Sequence, residues 1–238
     1  MSRERNAPAS PSAAQPIPVL FADSVLLVVD KPSGLAVHRG WARETDVLVA
    51  RLERQSGQQV FPVHRLDRGT SGVQVLALDS ETARRVSDSF AQGLVEKVYW
   101  ALVRGVAPDE VWIDHAIPAS EDKDAPRVAA QTFVKRLRTF GRYSLVEARP
   151  KTGRLHQVRR HLKHISCPLI GDVNYGKGEH NRLFRTRYDL HRLFLHAVSL
   201  TLPHPRTNVL QTFHAPLSAE LERVLEALAI ENAESSAV

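Results

Sequence analysis

The spacing of apolar and polar residues predicts a chain that mixes strands and helices. Apolar runs bounded by turn residues, and runs in which apolar and polar positions alternate, are typical of strands. Such runs occupy 25–29, 73–78, 96–104, 131–137, 142–148 and 198–202. Gly141 lies between two of these runs, which predicts a hairpin at 131–148.

Four segments carry apolar residues three and four positions apart, which is typical of helices with one buried face. Each segment follows a residue whose side-chain oxygen can cap a helix N-terminus. The predicted caps are Asp46, Asp79 or Ser80, Thr152 and Ser218. The predicted buried faces contain Val47, Leu48 and Leu52; Ala83, Val86, Phe90 and Leu94; Leu155, Val158, Leu162 and Ile165; and Leu221, Val224, Leu225 and Leu228.

The folded part of the chain is predicted to be a single domain over residues 17–230. A chain of 238 residues with 43% hydrophobic residues can bury a sizeable core, and no linker interrupts it. Residues 1–16 are rich in Pro, Ala and Ser and predict a disordered arm, and residues 231–238 predict a frayed tail. Cys167 is the one cysteine, so an internal disulfide is excluded. With no membrane-spanning run and no signal-peptide core, a cytoplasmic protein is expected.

The charge of the chain favours a polyanionic partner. The formal net charge is +6, and the basic residues cluster rather than scatter. The helix predicted after Thr152 is cationic on its outer faces, and almost no acid is available to pair with its bases. His161 and His164 lie on this helix without a carboxylate or cysteine at ligand spacing, so no metal is expected there. The acidic segment 107–127 is predicted to be a solvated connection that points away from the nucleic acid.

The stretch 64–72, HRLDRGTSG, carries the strongest candidate chemistry. It places Asp67 between Arg65 and Arg68 in a glycine-punctuated loop, directly before a strand predicted to be buried. A loop mounted on a buried strand is a rigid support for a catalytic group, and neighbouring cations favour an ionised carboxylate. From these residues alone, Asp67 is a nucleophile, a base, or an aspartate that closes a turn by accepting from nearby amides.

Four segments together resemble the RluA-type pseudouridine synthases. They are HRLDxxTSG at 64–72, KPSG at 31–34, KxY at 97–99, and TGRxHQxRxH followed by PLIGDxxYG at 152–176. The resemblance covers roughly residues 18–215. It implies an α+β fold with a mixed, mainly antiparallel sheet, flanking helices and a basic central cleft whose floor the KPSG turn shapes. No S4-like RNA-binding module is expected in front of it.

The resemblance also implies roles for individual residues in converting uridine to pseudouridine. Asp67 matches the family's catalytic aspartate, and Arg159 matches the arginine that pairs with it. Tyr99 matches the active-site tyrosine, whose ring can stack on an extruded uracil and whose hydroxyl can serve in proton transfer. Arg65 would fill the place that the extruded base leaves. Whether Asp67 attacks the base or acts at the sugar stays open.

The implied partner is RNA, held through its phosphates by basic side chains. These side chains are Arg154, Arg160, Lys163 and Arg182. No cofactor and no metal are expected, because the reaction involves neither redox change nor phosphate transfer. Neither a membrane nor an obligate protein partner is indicated, and a monomer is expected.

Three sequence segments narrow the choice of RNA substrate, because they resemble segments of the synthases that act at tRNA position 65. They are VHRGW after KPSG, PKTGRxHQxRRH, and GDxxYGxxxHNR. One alternative is a ribosomal RNA synthase of the same family, and another is a non-catalytic RNA-binding protein. A third is a hydrolase acting on a glycosidic bond, which would need a second carboxylate. Glu96 is the nearest candidate for it by sequence.

Overall fold

A mixed sheet of ten strands frames the fold in the computed structural model, which describes residues 15–39, 45–122 and 124–236. In these ranges the strands are β1 (Val19–Ala22), β2 (Leu26–Lys31), β3 (Phe61–Pro62), β4 (Ser71–Ala77), β5 (Glu96–Arg104), β6 (Glu110–Asp114), β7 (Ile117–Pro118), β8 (Arg127–Val128), β9 (Gln131–Phe140), β10 (Tyr143–Pro150), β11 (Leu195–Pro203) and β12 (Leu210–His214). The order across the sheet is β1-β2-β4-β11-β5-β10-β9-β6. β3 joins β4, β12 joins β11, and β7 pairs with β8 separately.

Five helices accompany these strands in the same ranges. They are α1 (Leu48–Ser56), α2 (Ser80–Ala91), α3 (Gln157–His164), α4 (Gly178–Tyr188) and α5 (Ala219–Ser236). Among the described residues, no helix combines the length and the hydropathy that crossing a bilayer requires.

Helices cover both faces of the central strands. Alternate residues of a strand point to opposite faces. Ala101 of β5 packs in the cluster that contains Leu162 of α3, whereas Leu102 packs with Phe184 of α4 and Leu221 of α5. The sheet is therefore a middle layer, and α3 lies on the same face as the Tyr99 side of β5.

One parallel pair within the described sheet joins the loop after residue 64 to the middle of the fold. Gly72 at the start of β4 pairs with Ala197 of β11, and Ala197 pairs in turn with Tyr99 of β5. Gly72 has φ +110°, and a Cβ there would lie 2.2 Å from the Ala197 carbonyl oxygen. Glycine at this position lets β4 approach β11 closely enough to place the Asp67 loop beside Tyr99.

Most of the predicted elements are present. β5 spans the predicted residues, and β9 and β10 form the hairpin around Gly141. Asp79 caps α2 as predicted, since its Oδ1 accepts a hydrogen bond from the Thr82 amide at 2.7 Å. α5 follows Ser218 and buries Leu221, but the predicted Ser218 cap is wrong, because its buried hydroxyl oxygen has no hydrogen-bond partner among the described residues.

Two further predicted caps are wrong because each side chain has a different partner. The Asp46 carboxylate binds the Arg51 side chain, with Nε at 2.7 Å, and α1 begins at Leu48 without a side-chain cap. The Thr152 hydroxyl lies 2.6 Å from Gln157 Oε1, and α3 begins at Gln157, with His156 as its N-cap residue.

The acidic segment is also more ordered than predicted. β6 pairs with β9, and its inward-facing Ile113 is buried while Glu110 and Asp114 point outward. The predicted solvated connection follows from the negative charge of residues 107–127, whereas the alternation of exposed and buried residues in β6 specifies a strand. The segment does not simply point away from the cleft, because Glu121 Oε1 approaches His156 Nδ1 to 3.6 Å.

The chain termini test the predicted domain limits only in part. α5 continues to Ser236, past the predicted end at residue 230, and Glu231 accepts a hydrogen bond from the Tyr188 hydroxyl at 2.8 Å. Residues 1–14 and 237–238 lie outside the described residues, so the disordered arm stays a prediction. α4 was not predicted, since its basic residues were attributed to an RNA-binding run.

Replacing Gly72 with alanine is expected to lower the free energy of unfolding by more than about 3 kcal/mol, through backbone strain and the clash with Ala197. Gly141→Ala is the matched control, because φ is +55° there and a Cβ would meet nothing within 4 Å. Its cost should be about 1 kcal/mol. Urea unfolding of both variants checks the difference, and equal costs would contradict the close-approach argument.

Candidate active site

A cleft of about 410 Å³ opens beside the junction of β4, β11 and β5. It is lined by Asp67 and Tyr99, and by basic side chains that include Arg65, Lys97 and Arg154. Among the described lining residues, Asp67 is the one carboxylate. Within the described lining, Asp67 is therefore a single carboxylate among basic side chains.

The Asp67 loop is held in place by Gln74, which is fully buried in β4. The Gln74 side chain accepts from the Leu66 amide at 3.3 Å and donates to the His64 carbonyl at 2.9 Å. The loop closes on itself where the Thr70 amide donates to the Asp67 carbonyl at 3.0 Å. A strand residue thus fixes the entry to the loop, and a backbone hydrogen bond within the loop closes its turn.

His64 anchors the start of the Asp67 loop, and its ring is already committed to other groups of the protein. Its Nε2 accepts a hydrogen bond from the Val75 amide at 2.9 Å, and its ring stacks on Phe90. Burial lowers the pKa of His64 to about 3, so the ring stays neutral. The first residue of the HRLD motif is therefore a structural acceptor.

The KPSG turn at 31–34 holds the C-terminal side of the Asp67 loop through hydrogen bonds. The buried Lys31 ammonium donates to the carbonyls of Pro32 at 2.9 Å and Leu35 at 2.7 Å, and lies 3.4 Å from the Arg68 carbonyl. Ser33 Oγ donates to the Gly69 carbonyl at 2.8 Å. Burial lowers the pKa of Lys31 to about 7. The turn thus supports the aspartate loop directly, which refines its predicted role in shaping the cleft floor.

Arg159 of α3 connects Asp67 to a second carboxylate, Asp172. Its Nη1 donates to Asp67 Oδ2 at 3.1 Å, and its Nε and Nη2 donate to Asp172 at 2.8 and 2.9 Å. Burial alone would lower the pKa of Arg159, but the two carboxylates raise it above its ordinary value. Burial alone would raise the pKa of Asp172, but hydrogen bonds from Arg159 and from the Tyr175 and Asn174 amides lower it.

Asp172 is the site residue whose function the sequence analysis missed. It belongs to the PLIGDxxYG motif, and its side chain is completely buried against Arg159. The prediction that the bases of this helix lack acidic partners is therefore wrong for Arg159. The available signal was an aspartate inside a recognised motif, thirteen residues after an arginine that needed a second partner.

Tyr99 lies in the cleft as the sequence predicted. Burial raises the pKa of its phenol, and the negative charge of Asp67 raises it further. The hydroxyl therefore stays protonated and can donate a hydrogen bond. Lys97, two residues earlier, donates to the Thr152 carbonyl at 3.2 Å, and burial lowers its pKa to about 8.

Four of the five predicted RNA-binding residues are exposed, and the fifth, Arg160, is bound to the protein. Arg65 and Arg154 are exposed and line the cleft, and Lys163 is exposed on α3. Arg160 is committed to the protein, since it donates to the Pro118 carbonyl at 2.6 Å and to the Tyr175 hydroxyl at 2.9 Å. Arg182 is exposed on α4 and is not among the lining residues.

The described residues contain no group of three His, Cys, Asp or Glu side chains arranged to hold a metal ion. His161, one of the two histidines considered for a metal, binds Thr132 Oγ1 at 2.8 Å and the His115 carbonyl at 2.9 Å.

Comparison with known proteins gives the same family at the levels of sequence and structure. The sequence model described as RNA pseudouridylate synthase matches residues 25–164. The chain is 43% identical over 211 residues to the tRNA pseudouridine synthase C of Vibrio parahaemolyticus, covering 80% of this chain and 86% of that protein. The chain belongs to the RNA pseudouridylate synthase family.

Other members of the family agree with this assignment. The Haemophilus influenzae tRNA pseudouridine synthase C is 37% identical over 90% of this chain and 98% of its own length. The structure of human RNA pseudouridylate synthase domain containing 4 is 31% identical, with a TM-score of 0.72 over 89% of this chain and 93% of its own. The predicted α+β pseudouridine synthase fold is confirmed. Like the other RNA pseudouridylate synthases, the protein is an isomerase that converts uridine in RNA to pseudouridine.

The burial of His196 makes the free energy of unfolding of this pseudouridylate synthase depend on pH. Its Nδ1 is 2.8 Å from Ser71 Oγ, at the base of the aspartate loop, and burial lowers its pKa to about 4. The unfolded histidine binds a proton below pH 6.5, whereas the folded one does not until about pH 4. Stability should therefore fall by up to ~3 kcal/mol through this group as the pH drops from 6.5 to 4.

Urea unfolding between pH 4 and 7 measures this effect. The His196→Gln variant should lose stability less steeply than the wild type in that window. The exposed His191 gives the control, since His191→Gln should follow the wild-type profile. Parallel profiles for the wild type and His196→Gln would contradict the prediction.

Proposed function

We propose that this protein isomerises uridine in tRNA, at position 65, with Asp67 as the catalytic carboxylate. The observation that carries the proposal is the position of Asp67, which stands in the cleft within 3.1 Å of the buried Arg159. The tRNA substrate is supported by the relatives named tRNA pseudouridine synthase C. Position 65 is supported by the resemblance in PKTGRxHQxRRH and GDxxYGxxxHNR. The third detail, VHRGW, includes Gly40 and Trp41, which lie outside the described residues.

The cleft suits a nucleotide that has left its helix. A volume of about 410 Å³ is in the range of pockets that enclose small molecules. A stacked base exposes neither face to a side chain, so the target uridine must be extruded before its glycosidic bond can react. Tyr99 offers an aromatic face for the uracil, and its protonated hydroxyl can donate to an oxygen or nitrogen of the base.

Arg159 has two roles in this proposal. It fixes Asp67 relative to α3 through a charge-assisted hydrogen bond, and its positive charge lies beside the carboxylate on which either form of the reaction depends. Because Asp172 holds the same guanidinium through two hydrogen bonds, Arg159 is not free to turn towards a phosphate of the RNA.

The proposed RNA surface is formed by exposed basic side chains, of which Arg65 and Arg154 line the cleft. Arg65, Arg154, Lys163 and Arg182 would contact phosphates, and Arg65 would also fill the place of the extruded uridine. Arg160 contributes by bracing Tyr175 and the Pro118 carbonyl. Phosphate contacts of this kind make affinity depend on salt without reading sequence. A monomeric state and a cytoplasmic location remain predictions.

The hydrolase alternative is disfavoured by the carboxylates around the cleft. A glycosidase of the usual kind uses two, and the described lining residues include Asp67 alone. Glu96 does not line the cleft, and its carboxylate binds Arg149 Nη1 at 3.1 Å. The non-catalytic alternative has no support from the cleft, which brings Asp67, Tyr99 and Arg159 together.

The Asp67→Asn variant is expected to slow pseudouridine formation in unmodified tRNA by roughly 10³-fold or more, because it removes the reacting carboxylate. RNA affinity should stay near the wild-type value, since phosphate binding does not depend on a negative charge. Nucleotide-resolution mapping of pseudouridine measures the first effect, and filter binding measures the second.

Asp88→Asn is the matched control, because it removes the same charge from an exposed position on α2. Its activity should equal that of the wild type. A signal at tRNA position 65 that depends on Asp67 supports the whole proposal, whereas a signal confined to ribosomal RNA would transfer the chemistry to a different substrate. Unchanged activity in Asp67→Asn would contradict the assignment of the carboxylate.

A further inference from the structure

Lys97 is a cation inside the cleft to which the proposed reaction gives no task. It lies on β5 two residues before Tyr99, and both side chains line the cleft. Side chains of a strand alternate between its faces, so residues two apart share a face and are about 7 Å apart along the strand. A nucleotide whose base contacts Tyr99 can therefore reach Lys97 with another of its groups.

The ammonium of Lys97 has little compensation for its charge within the protein. Its Nζ donates to the Thr152 carbonyl at 3.2 Å, whereas an ammonium has three N–H donors. In the described part of the chain it forms no ion pair, and the adjacent acid, Glu96, binds Arg149 at 3.1 Å instead. Two donors of a half-buried cation are therefore left for a partner from outside the chain.

The position of this ammonium is unfavourable in the absence of an anion. Burial lowers the pKa of Lys97 to about 8, and the neighbouring Lys151 lowers it further. A cation removed from water is stabilised when an anion or further hydrogen-bond acceptors replace that water. An anion bound beside Lys97 would supply this stabilisation at the place where the substrate enters.

Two more cations flank the Thr152 carbonyl. Lys151 and Arg154 are exposed, line the cleft, and form no ion pair with a carboxylate in the described ranges. Arg154 Nε donates to the Ala129 carbonyl at 3.3 Å, which leaves its two terminal nitrogens for a ligand. Gly153 between them has no side chain, and a Cβ there would meet nothing within 4 Å. The turn at 151–154 thus offers open space between basic side chains.

The buried side chain of Gln157 fixes this turn. Its Oε1 accepts from the Arg154 amide at 3.0 Å and lies 2.6 Å from Thr152 Oγ1. Its Nε2 donates to the Gln131 carbonyl at 2.9 Å and to Thr132 Oγ1 at 3.0 Å. Because the backbone of the turn is already held by these bonds, binding a ligand there requires little further ordering.

A phosphate group is the anion that suits these three side chains. Each nucleotide of RNA carries one permanent negative charge, on its phosphate, whereas its uracil and ribose are neutral. The described lining of the cleft contains one carboxylate, that of Asp67, which is bound by Arg159 and forms no ion pair with Lys97. A phosphate beside Lys97 is therefore surrounded by cations, while the carboxylate keeps its own guanidinium.

We propose that Lys97, Lys151 and Arg154 form a subsite for a phosphate that flanks the extruded uridine, with Lys97 as its buried member. Because Lys97 lies inside the cleft, the subsite fills only when the uridine has left its helix. The phosphate contact therefore favours extrusion and takes no part in breaking or forming bonds. The inference rests on the proposed function, in which an extruded uridine reacts in this cleft, and it does not depend on which RNA is the substrate.

The test removes the charge of Lys97 and the charge of the phosphate, separately and together. It uses the full-length protein and unmodified tRNA ligated from synthetic RNA, with an uncharged methylphosphonate on the 5′ or the 3′ side of the target uridine. On ordinary tRNA, Lys97→Met should lower the single-turnover rate of pseudouridine formation by roughly 10- to 100-fold, the range expected for one lost charged hydrogen bond. RNA affinity should stay within about threefold, because the exposed basic side chains are unchanged.

The combination of the two changes identifies the contact. A methylphosphonate on the contacted side should slow the wild type by a factor similar to that of Lys97→Met. It should slow Lys97→Met itself by less than about threefold, because the interaction is already lost. A methylphosphonate on the other side should slow both proteins equally. A purely structural role of Lys97, such as holding the Thr152 carbonyl, would produce no such coupling.

Lys135→Met is the matched control, because it removes the same charge from an exposed position on β9. Lys135 pairs with Glu110 at 2.9 Å, and it faces away from α3 because the preceding residue, Val134, packs in the cluster that contains Leu162. The control should match the wild-type rate on every substrate. Lys151→Met should slow the reaction less than Lys97→Met does, because solvent and salt screen an exposed charge. Urea unfolding checks that each variant is folded.

Two results would overturn the proposal. One is a wild-type rate in Lys97→Met. The other is a slow rate that adds independently to the effect of a methylphosphonate on either side, which would make Lys97 a support for the turn at 151–154. Failure of the proposed substrate is distinguishable, because the wild-type protein would then leave the tRNA unmodified, and the same comparison would be made on the ribosomal RNA that it modifies. Failure of the proposed carboxylate would show as activity in Asp67→Asn, whatever the phosphate coupling of Lys97.

Discussion

The site depends on one buried guanidinium that two carboxylates share. Arg159 offers a planar set of N–H donors, and Asp172 and Asp67 occupy three of them. Removing one partner of a buried ion pair typically costs about 3–5 kcal/mol, because the remaining charge is left without compensation. This cost holds α3, the Asp67 loop and the turn at Asp172 in one arrangement, and the proposed catalytic carboxylate is fixed from both sides of the cleft.

The sheet brings the remaining parts of the site to this guanidinium. The Gly72–Ala197–Tyr99 register sets the aspartate loop next to the tyrosine, and Lys31 fastens the loop by donating to backbone carbonyls. The phenol of Tyr99, the carboxylate of Asp67 and the imidazole of His156 then share one cleft with several basic side chains. In the proposed function, the phenol and the carboxylate have distinct tasks in a reaction that replaces a carbon–nitrogen bond by a carbon–carbon bond and adds nothing to the RNA.

Much of this arrangement was predictable from sequence where the signal was local. The alternation in Glu96–Arg104 and the Asp79 cap specify their own backbone, and the resemblance identified Asp67, Tyr99 and Arg159. The missed features are long-range. Asp172 gains its meaning from Arg159, and Thr152 fails as a cap because Gln157 binds its hydroxyl. His156 is a residue of a known motif whose left-handed backbone becomes visible only in the folded turn.

The single-turnover rate of pseudouridine formation in Arg159→Lys tests the central claim most directly. A lysine keeps the positive charge but lacks the planar fork that binds Asp172 and Asp67 together. The structure predicts a fall of roughly 10²-fold or more in rate, as expected when a reacting group is misplaced, with RNA affinity within about twofold of the wild type. A rate close to the wild-type value would show that charge alone suffices, and would contradict the claim that the shared guanidinium positions the carboxylate.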